Sequence, residues 1–335
     1  MRLILKARMA HQLQQMAYVG QTPWHQLGNE LPPKQTIDTW ARQAGMDWSI
    51  CESPVRYLAE TSGALGAIKS FEDQKVLYRS DTQEALSVVG HRYQVVQPRD
   101  VLEFYRDLTE LSGFELETAG VLKAGRKFWA LARTGKQARL KGTDVVNGYL
   151  LLATSCDGSL ATTATPTTIR VVCSNTLNLA LNGASCAVKV PHRTSFDAQA
   201  VKKQLGIAVS QWDSFMYRMK ILSERRVKSH EAMNYFMKVI CEAAQPAPYS
   251  GADKAPSLSN ERALAKVQEI FDGRGRGAEL AAAKGTAWGL LNAVTEFVDH
   301  ERRARSQEYR LDSAWFGQGA LLKQRALDQA LALAD

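Results

Sequence analysis

The sequence lacks any long hydrophobic run, since no apolar stretch approaches the roughly 20 residues that a bilayer-spanning helix needs. Met9 is an alternative start, and the apolar run in the stretch before it is too short for a secretory leader. The five cysteines are odd in number, widely spaced and free of any Cys-x-x-Cys pair, which argues against a zinc knuckle or a redox dithiol. These absences predict a soluble protein of a reducing cytoplasm.

Catalytic and metal-binding motifs are also missing. The segment 273–277, Gly-Arg-Gly-Arg-Gly, has no Walker ending and follows no strand, so a flexible connection is favoured over a phosphate loop. In the segment 299–301, Asp-His-Glu, adjacent side chains point in different directions around a helix, and no His-Glu-x-x-His pair occurs. The segment 155–159 contains Ser, Cys and Asp but no Gly-x-Ser-x-Gly elbow. The sequence therefore predicts no catalytic residue, no metal and no cofactor.

What is present is an ordinary globular composition, with 335 residues, 45% hydrophobic and 23% charged. The patterns predict an α+β fold with a central antiparallel β-sheet and a helical C-terminal half. They divide the chain into an irregular Trp- and Pro-rich region at 1–80, a basic α+β core at 81–195 and a helical region at 196–335. A Pro-rich linker is predicted near 245–259.

Local signals place the elements of the core. A helix opens at Pro98, and strands are predicted at 114–122, 127–134, 145–156 and 160–173, with a basic connection at 135–143. A helix is then predicted from Asn175 to Leu181.

Positive charge is concentrated in this core. Residues 123–193 hold ten basic and two acidic residues, a net charge of +8, whereas the remaining chain is balanced with 32 of each sign. Such a concentration is typical of a polyanion site, and the alternative is a solvated basic face without a ligand. The nucleic-acid-binding residues predicted from this segment are Lys123, Arg126, Lys127, Trp129, Arg133, Lys136, Arg139, Lys141, Arg170, Lys189 and Arg193.

Trp129 is the one aromatic member of this set. Alternation along the strand puts it on one face with Lys127 and Arg133, a combination that suits phosphate contact and base stacking. The alternative is a core residue.

Four stretches resemble the phage/plasmid-like family of uncharacterised proteins from bacterial mobile elements. They are Gly20-Gln-Thr-Pro-Trp-His-Gln-Leu-Gly28, Tyr93-Gln-Val-Val-Gln-Pro98, the stretch from Pro166 to Leu177, and the stretch from Gly285 to His300 continued by Ala314-Trp-Phe-Gly317. The resemblance implies a mobile-DNA setting. The order of helix, antiparallel strands and helix also looks like the β-β-β-α core of single-strand annealing proteins, including the Erf and RecT groups and the eukaryotic annealing recombinase. That likeness is one of fold, and fold alone does not fix function.

The leading hypothesis is a non-enzymatic, single-stranded DNA-binding protein that holds the phosphate backbone in a cationic groove. It would anneal complementary strands as a homo-oligomeric ring or filament, away from membranes. Two alternatives stay open, namely a nucleic-acid-processing enzyme such as a nuclease, and a mobile-element interaction or anti-defence protein.

Overall fold

The computed structural model describes residues 16–335 except 24, 26, 62–63, 173–174, 179, 182–183, 186, 210–211 and 242–257. The α+β class predicted from the sequence is confirmed. The strands are β1 Met16–Val19, β2 Asn29–Leu31, β3 Ile50–Thr61, β4 Ala64–Arg79, β5 Ala85–Gly90, β6 Glu115–Leu122, β7 Lys127–Leu140, β8 Asp144–Ser155, β9 Thr162–Arg170, β10 Asn175–Asn178, β11 Ala180–Leu181, β12 Ala184–Ser185 and β13 Val188–Val190.

The helices cluster toward the C-terminal half. They are α1 Ile37–Gln43, α2 Pro98–Ser112, α3 Ala198–Val209, α4 Trp212–Glu224, α5 Ser229–Ile240, α6 Leu258–Glu269, α7 Ala287–Glu296, α8 Gln307–Phe316 and α9 Gln318–Ala334. Helix α6 continues into a π-turn at Ile270–Arg274, and α7 continues into another at Phe297–Glu301. Among the described helices, none has the length and apolar character that a membrane span requires.

The described residues form two compact units. Unit 1 takes its residues from Met1–Thr134, Leu150–Thr165 and Ala187–Leu205, and unit 2 from Gly135–Tyr149, Pro166–Cys186 and Gly206–Asp335. The unit boundaries pass through β7, β8 and β9, so each of these strands contributes residues to both units.

In unit 1 the main sheet has the order β13-β9-β8-β7-β6-β1-β2. Strand β1 pairs antiparallel with β6, as do β6 with β7 and β13 with β9, whereas β1 and β2 pair in parallel. Helix α2 packs on this sheet through Tyr105, whose hydroxyl oxygen lies 2.9 Å from the carbonyl oxygens of Ala130 and Leu150. Buried tyrosine hydroxyls need such partners, so these contacts fix the helix against the two central strands.

Unit 1 also contains a three-stranded antiparallel sheet of order β3-β4-β5. Strand β5 pairs only with the stretch of β4 from Gln74 to Tyr78. Beyond that stretch, β3 and β4 continue as a two-stranded ribbon, with Val55 opposite Phe71 and Ala59 opposite Ala67. We call this ribbon, residues 55–71, the β-arm.

In unit 2 the ends of the shared strands have the order β10-β9-β8-β7, and helices α4 to α9 make up most of the remainder. Helix α7 lies at the centre of this unit, because all ten of its residues are buried. It begins at the N-cap Thr286, whose hydroxyl accepts a hydrogen bond from the Gly289 amide. Close packing explains Gly289, since a Cβ there would lie 2.0 Å from the carbonyl oxygen of Ala283.

Three local predictions differ from the structure. Strands occupy 175–178 and 180–181, where a helix was predicted, because pairing of β10 with β9 supplies backbone partners that the helical signal did not anticipate. Strand β7 extends to Leu140 and so includes part of the predicted basic connection. Residues 50–79, predicted to be irregular, form the long strands β3 and β4. Most of the predicted Pro-rich linker lies outside the described residues.

Candidate nucleic-acid interface

The eleven residues predicted to bind nucleic acid divide between the two units. Lys136, Arg139, Lys141 and Arg170 belong to unit 2, and the other seven belong to unit 1. Seven of the eleven have exposed side chains, namely Arg126, Arg133, Lys136, Arg139, Lys141, Lys189 and Arg193, and Lys123 is half-buried.

Lys127, Trp129 and Arg170 are buried, with exposed fractions of 5%, 0% and 2%. The alternative reading of Trp129 as a core residue is therefore the one that the structure supports. Its ring contacts His25 edge-on, with 5.6 Å between the ring centroids. These three side chains therefore do not face a polyanion in this structure: the first six residues of β7, which include Lys127 and Trp129, are buried on both faces of the sheet, and Arg170 is buried at the end of β9.

Arg170 has a structural role inside unit 2. Its Nε donates to Asp144 Oδ1 at 2.7 Å, and Trp288 donates its indole N–H to the other oxygen of Asp144 at 2.9 Å. The guanidinium also donates to the carbonyl oxygens of Arg276, at 3.3 Å, and Gly277, at 2.9 Å. An ion pair with such additional hydrogen bonds is the arrangement in which a buried charge is tolerated.

The same contacts decide the role of the glycine-arginine segment 273–277. The backbone N–H of Arg276 donates to the carboxylate of Glu296, at 3.1 and 3.2 Å, so this amide is already occupied by an anionic group of the protein. Burial raises the pKa of Glu296, while its contact with this amide works in the opposite direction. The segment is a packed connection in unit 2 and not a cradle for phosphate.

Asp299, which the sequence presents beside His300 and Glu301, is likewise internal. Its carboxylate accepts from the Thr176 amide at 2.8 Å and pairs with Lys323 Nζ at 2.9 Å. Lys323 also donates to the Thr176 hydroxyl at 2.6 Å. Burial lowers the pKa of Lys323, against the opposing effect of Asp299. The group joins β10, the π-turn after α7, and α9.

The end of β7 in unit 2 and the residue after it carry three of the seven exposed residues of the predicted set. Lys136, Arg139 and Lys141 are exposed, and Arg139 and Lys141 form no ion pair with any residue that the structure describes. On the same face, the Gln137 amide donates to the Asn147 side chain at 3.0 Å, which ties the ends of β7 and β8 together. Arg139, on the strand, and Lys141, directly after it, therefore present unneutralised cations, a geometry suited to phosphate contacts.

A second cationic surface in unit 2 was not predicted from the sequence. It is a cavity of about 680 Å³ whose lining includes five basic residues and a single acidic one, Glu301. The basic residues are Arg262, Lys266, Arg302, Arg303 and Arg325. Apolar side chains complete the wall, among them Leu321, which is 60% exposed. We call this the basic cavity.

The positive charge of the basic cavity is only partly neutralised. Glu301 pairs with Lys266 at 3.3 Å. Arg302 donates to the Ser313 hydroxyl and Arg325 to the Val239 carbonyl, each at 3.3 Å, and these neutral partners leave the charge in place. Burial lowers the pKa of Arg302, and a bound anion would compensate for the water that this guanidinium has lost.

Part of this cavity has a sequence signal, since the run 302–305, Arg-Arg-Ala-Arg, is visible in the chain. The remaining cations come from α6 and α9, and only the tertiary packing of unit 2 brings them beside that run. Local patterns could not have found them.

Unit 1 has a different cavity, of about 440 Å³. Its charged lining is mixed, with Asp100 and Glu103 beside Arg106 and Lys202. It therefore offers no excess of positive charge to an anion.

The model of a domain of unknown function, DUF932, matches residues 85–315, more than two-thirds of the chain. The chain belongs to the DUF932 family. The match begins at the start of β5 and ends within α8, so it includes all eleven predicted residues and leaves out the β-arm. No curated protein and no solved structure matches this DUF932 chain significantly. In the part of the chain that the structure describes, no group of three or more His, Cys, Asp or Glu side chains is placed to hold a metal ion.

Proposed function

We propose that this protein binds single-stranded DNA through its phosphate backbone, without catalysing a reaction on it. The observation that carries the proposal is the basic cavity of unit 2, where five cations and one carboxylate share a wall with exposed apolar surface. Cations neutralise phosphates and release counterions, while apolar side chains offer contact to sugars and bases. The exposed cations at the end of β7 belong to the same unit and add to its exposed positive charge.

The biological setting in this proposal is replication or transfer of a phage, plasmid or prophage, with annealing of complementary strands by a homo-oligomer. It is supported by the sequence resemblance to a mobile-element family and by the α+β order of the core. Annealing needs no catalytic residue, because the protein only has to hold strands extended with their bases accessible.

Binding is tested by fluorescence anisotropy with a labelled oligothymidylate of about 30 nucleotides, titrated at several salt concentrations. We expect binding that weakens steeply with salt and does not require ATP. Because Arg262 and Arg303 are the exposed cations of the basic cavity, we expect the double variant Arg262→Glu/Arg303→Glu to reduce affinity by at least about tenfold.

The matched control is Lys220→Glu/Lys284→Glu, which makes the same charge change at two exposed lysines of unit 2 outside the cavity lining. Equal losses in both double variants would mean that net charge, and not the basic cavity, governs binding. Absence of a shift at low salt with the unaltered protein would refute the proposal. Binding of thymidine monophosphate as tightly as the oligonucleotide would instead assign the cavity to a mononucleotide.

A further inference from the structure

The β-arm exposes apolar side chains on both of its faces. Tyr57 and Phe71 lie on one face, with exposed fractions of 49% and 45%, and Leu58 and Ile68 lie opposite each other on the other face, at 58% and 71%. A two-stranded ribbon in water is marginally stable, and stability normally requires a third strand or a covering element. No described strand pairs with the free edge of either β3 or β4 along the arm.

The charges on β3 are arranged symmetrically about Leu58. Arg56 precedes it by two residues and Glu60 follows it by two, so all three side chains point to the same face of the ribbon. Neither Arg56 nor Glu60 forms an ion pair with another described residue. In an antiparallel pair, residues at equal distances on either side of the centre lie opposite each other.

We propose that the free edge of β3 pairs antiparallel with the same edge of a second copy of this chain, centred on Leu58. In this register Arg56 of each copy lies opposite Glu60 of the other, so two ion pairs form about the two-fold axis. Leu58 then lies opposite its own counterpart, and the two ribbons become one four-stranded sheet. The contact is isologous and closes at two copies.

The charge pattern also selects the strand and the register. A shift by two residues in either direction would put Leu58 opposite a charged side chain and leave the second charge without a counterpart. On β4 the equivalent pattern is Lys69 and Asp73 about Phe71, but there the backbone carbonyl oxygen of Asp73 already accepts a hydrogen bond from the backbone N–H of His91 at 3.0 Å, so this edge is partly occupied. The inference is independent of DNA binding, because the β-arm belongs to unit 1 and contributes nothing to the basic cavity.

Charge exchange tests the pairing on the full-length chain without nucleic acid. Sedimentation or light scattering should show a concentration-dependent dimer. The concentration range should extend to about 100 µM, because so small a contact associates weakly. Arg56→Glu alone and Glu60→Arg alone should each weaken dimerisation by at least about tenfold, since each opposes like charges twice. An equimolar mixture of the two variants should form a heterodimer, because all opposed pairs are then of opposite sign.

A cysteine at the two-fold axis tests the register. Leu58→Cys should form an intermolecular disulfide under mild oxidation, since directly opposed residues have Cα atoms about 4.5–5.5 Å apart, within disulfide range. The matched control is Ile68→Cys, which is on the same face but on the strand away from the proposed contact. The unaltered chain, with its native cysteines, gives the background.

The proposal fails if the unaltered chain is monomeric over the whole concentration range. It also fails if the single charge variants dimerise as well as the parent, or if Ile68→Cys cross-links as readily as Leu58→Cys. Circular dichroism of each variant separates loss of pairing from loss of folding. If the unaltered chain dimerises but does not bind DNA, the proposed function fails and the pairing of the β-arms stands.

Discussion

Arg139 and Arg170 lie on β7 and β9 of unit 2 and come from the same basic segment of the sequence, yet their surroundings are opposite. Arg139 is exposed and forms no ion pair within the described part of the chain. Arg170 is 2% exposed and is held by a carboxylate and two carbonyl oxygens. A count of basic residues treats the two as equal.

The difference is one of desolvation. A buried guanidinium persists only where hydrogen-bond acceptors compensate for lost water, so Arg170 stabilises the fold and is not available to a ligand. An exposed guanidinium keeps its hydration and its charge, and it can exchange water for phosphate at little cost to the fold. The positive charge that marks residues 123–193 therefore combines structural cations with cations free to bind.

The largest expected effect comes from removing the buried cation. Arg170→Ala leaves Asp144 buried without its ion-pair partner and deprives two carbonyl oxygens of a donor. We expect the free energy of unfolding to fall by about 3–5 kcal/mol, measured by urea titration. A loss below about 1 kcal/mol would show that the network contributes little.

Burial of a histidine in unit 1 should also make the stability of the protein depend on pH. Burial lowers the pKa of His25 to about 3 from 6.5, so the unfolded chain takes up the proton first as the pH falls. The stabilising contribution is complete above pH 6.5 and is lost as the pH falls toward 3, reaching a loss of about 3 kcal/mol at pH 4.5. Urea titrations at pH 7.5 and 4.5 should show a smaller acid loss for His25→Asn than for the parent. Equal losses would contradict the assignment.

The exposed cations should change binding and leave stability unaltered. Arg139→Ala/Lys141→Ala removes two candidate phosphate contacts from the end of β7. We expect affinity for oligothymidylate to fall by about tenfold and the logarithmic salt slope to become shallower by about 1.4. The free energy of unfolding should stay within about 0.5 kcal/mol of the parent value. If the double variant loses stability as well as affinity, these two residues would have a structural role like that of Arg170.

The smallest effect is expected at Arg133, which is exposed but paired. Its Nε donates to Glu117 at 3.0 Å across β6 and β7. Because water competes for both charges, Arg133→Ala should reduce the free energy of unfolding by less than about 1 kcal/mol. A loss as large as that of Arg170→Ala would remove the distinction between exposed and buried pairs.

The sequence was informative where local signals matched the tertiary environment. Helix α2 begins at Pro98 as predicted, and β6, β8 and β9 lie close to their expected positions, because turn signals and apolar runs are local. Trp129 shows the limit of such reasoning. Period-two alternation assigns a residue to a face, but both faces of this part of β7 are covered, and coverage depends on elements distant in the chain. The basic cavity was missed for the same reason.

Helix α7, with every residue buried, has a consequence for hydrogen exchange. Its amide protons can reach solvent only when the core of unit 2 opens, so they should be among the slowest of the chain to exchange with deuterium. The exchange rate in α7 then reports how often unit 2 opens. The same rate can be measured with oligonucleotide added, without attaching any label to the protein.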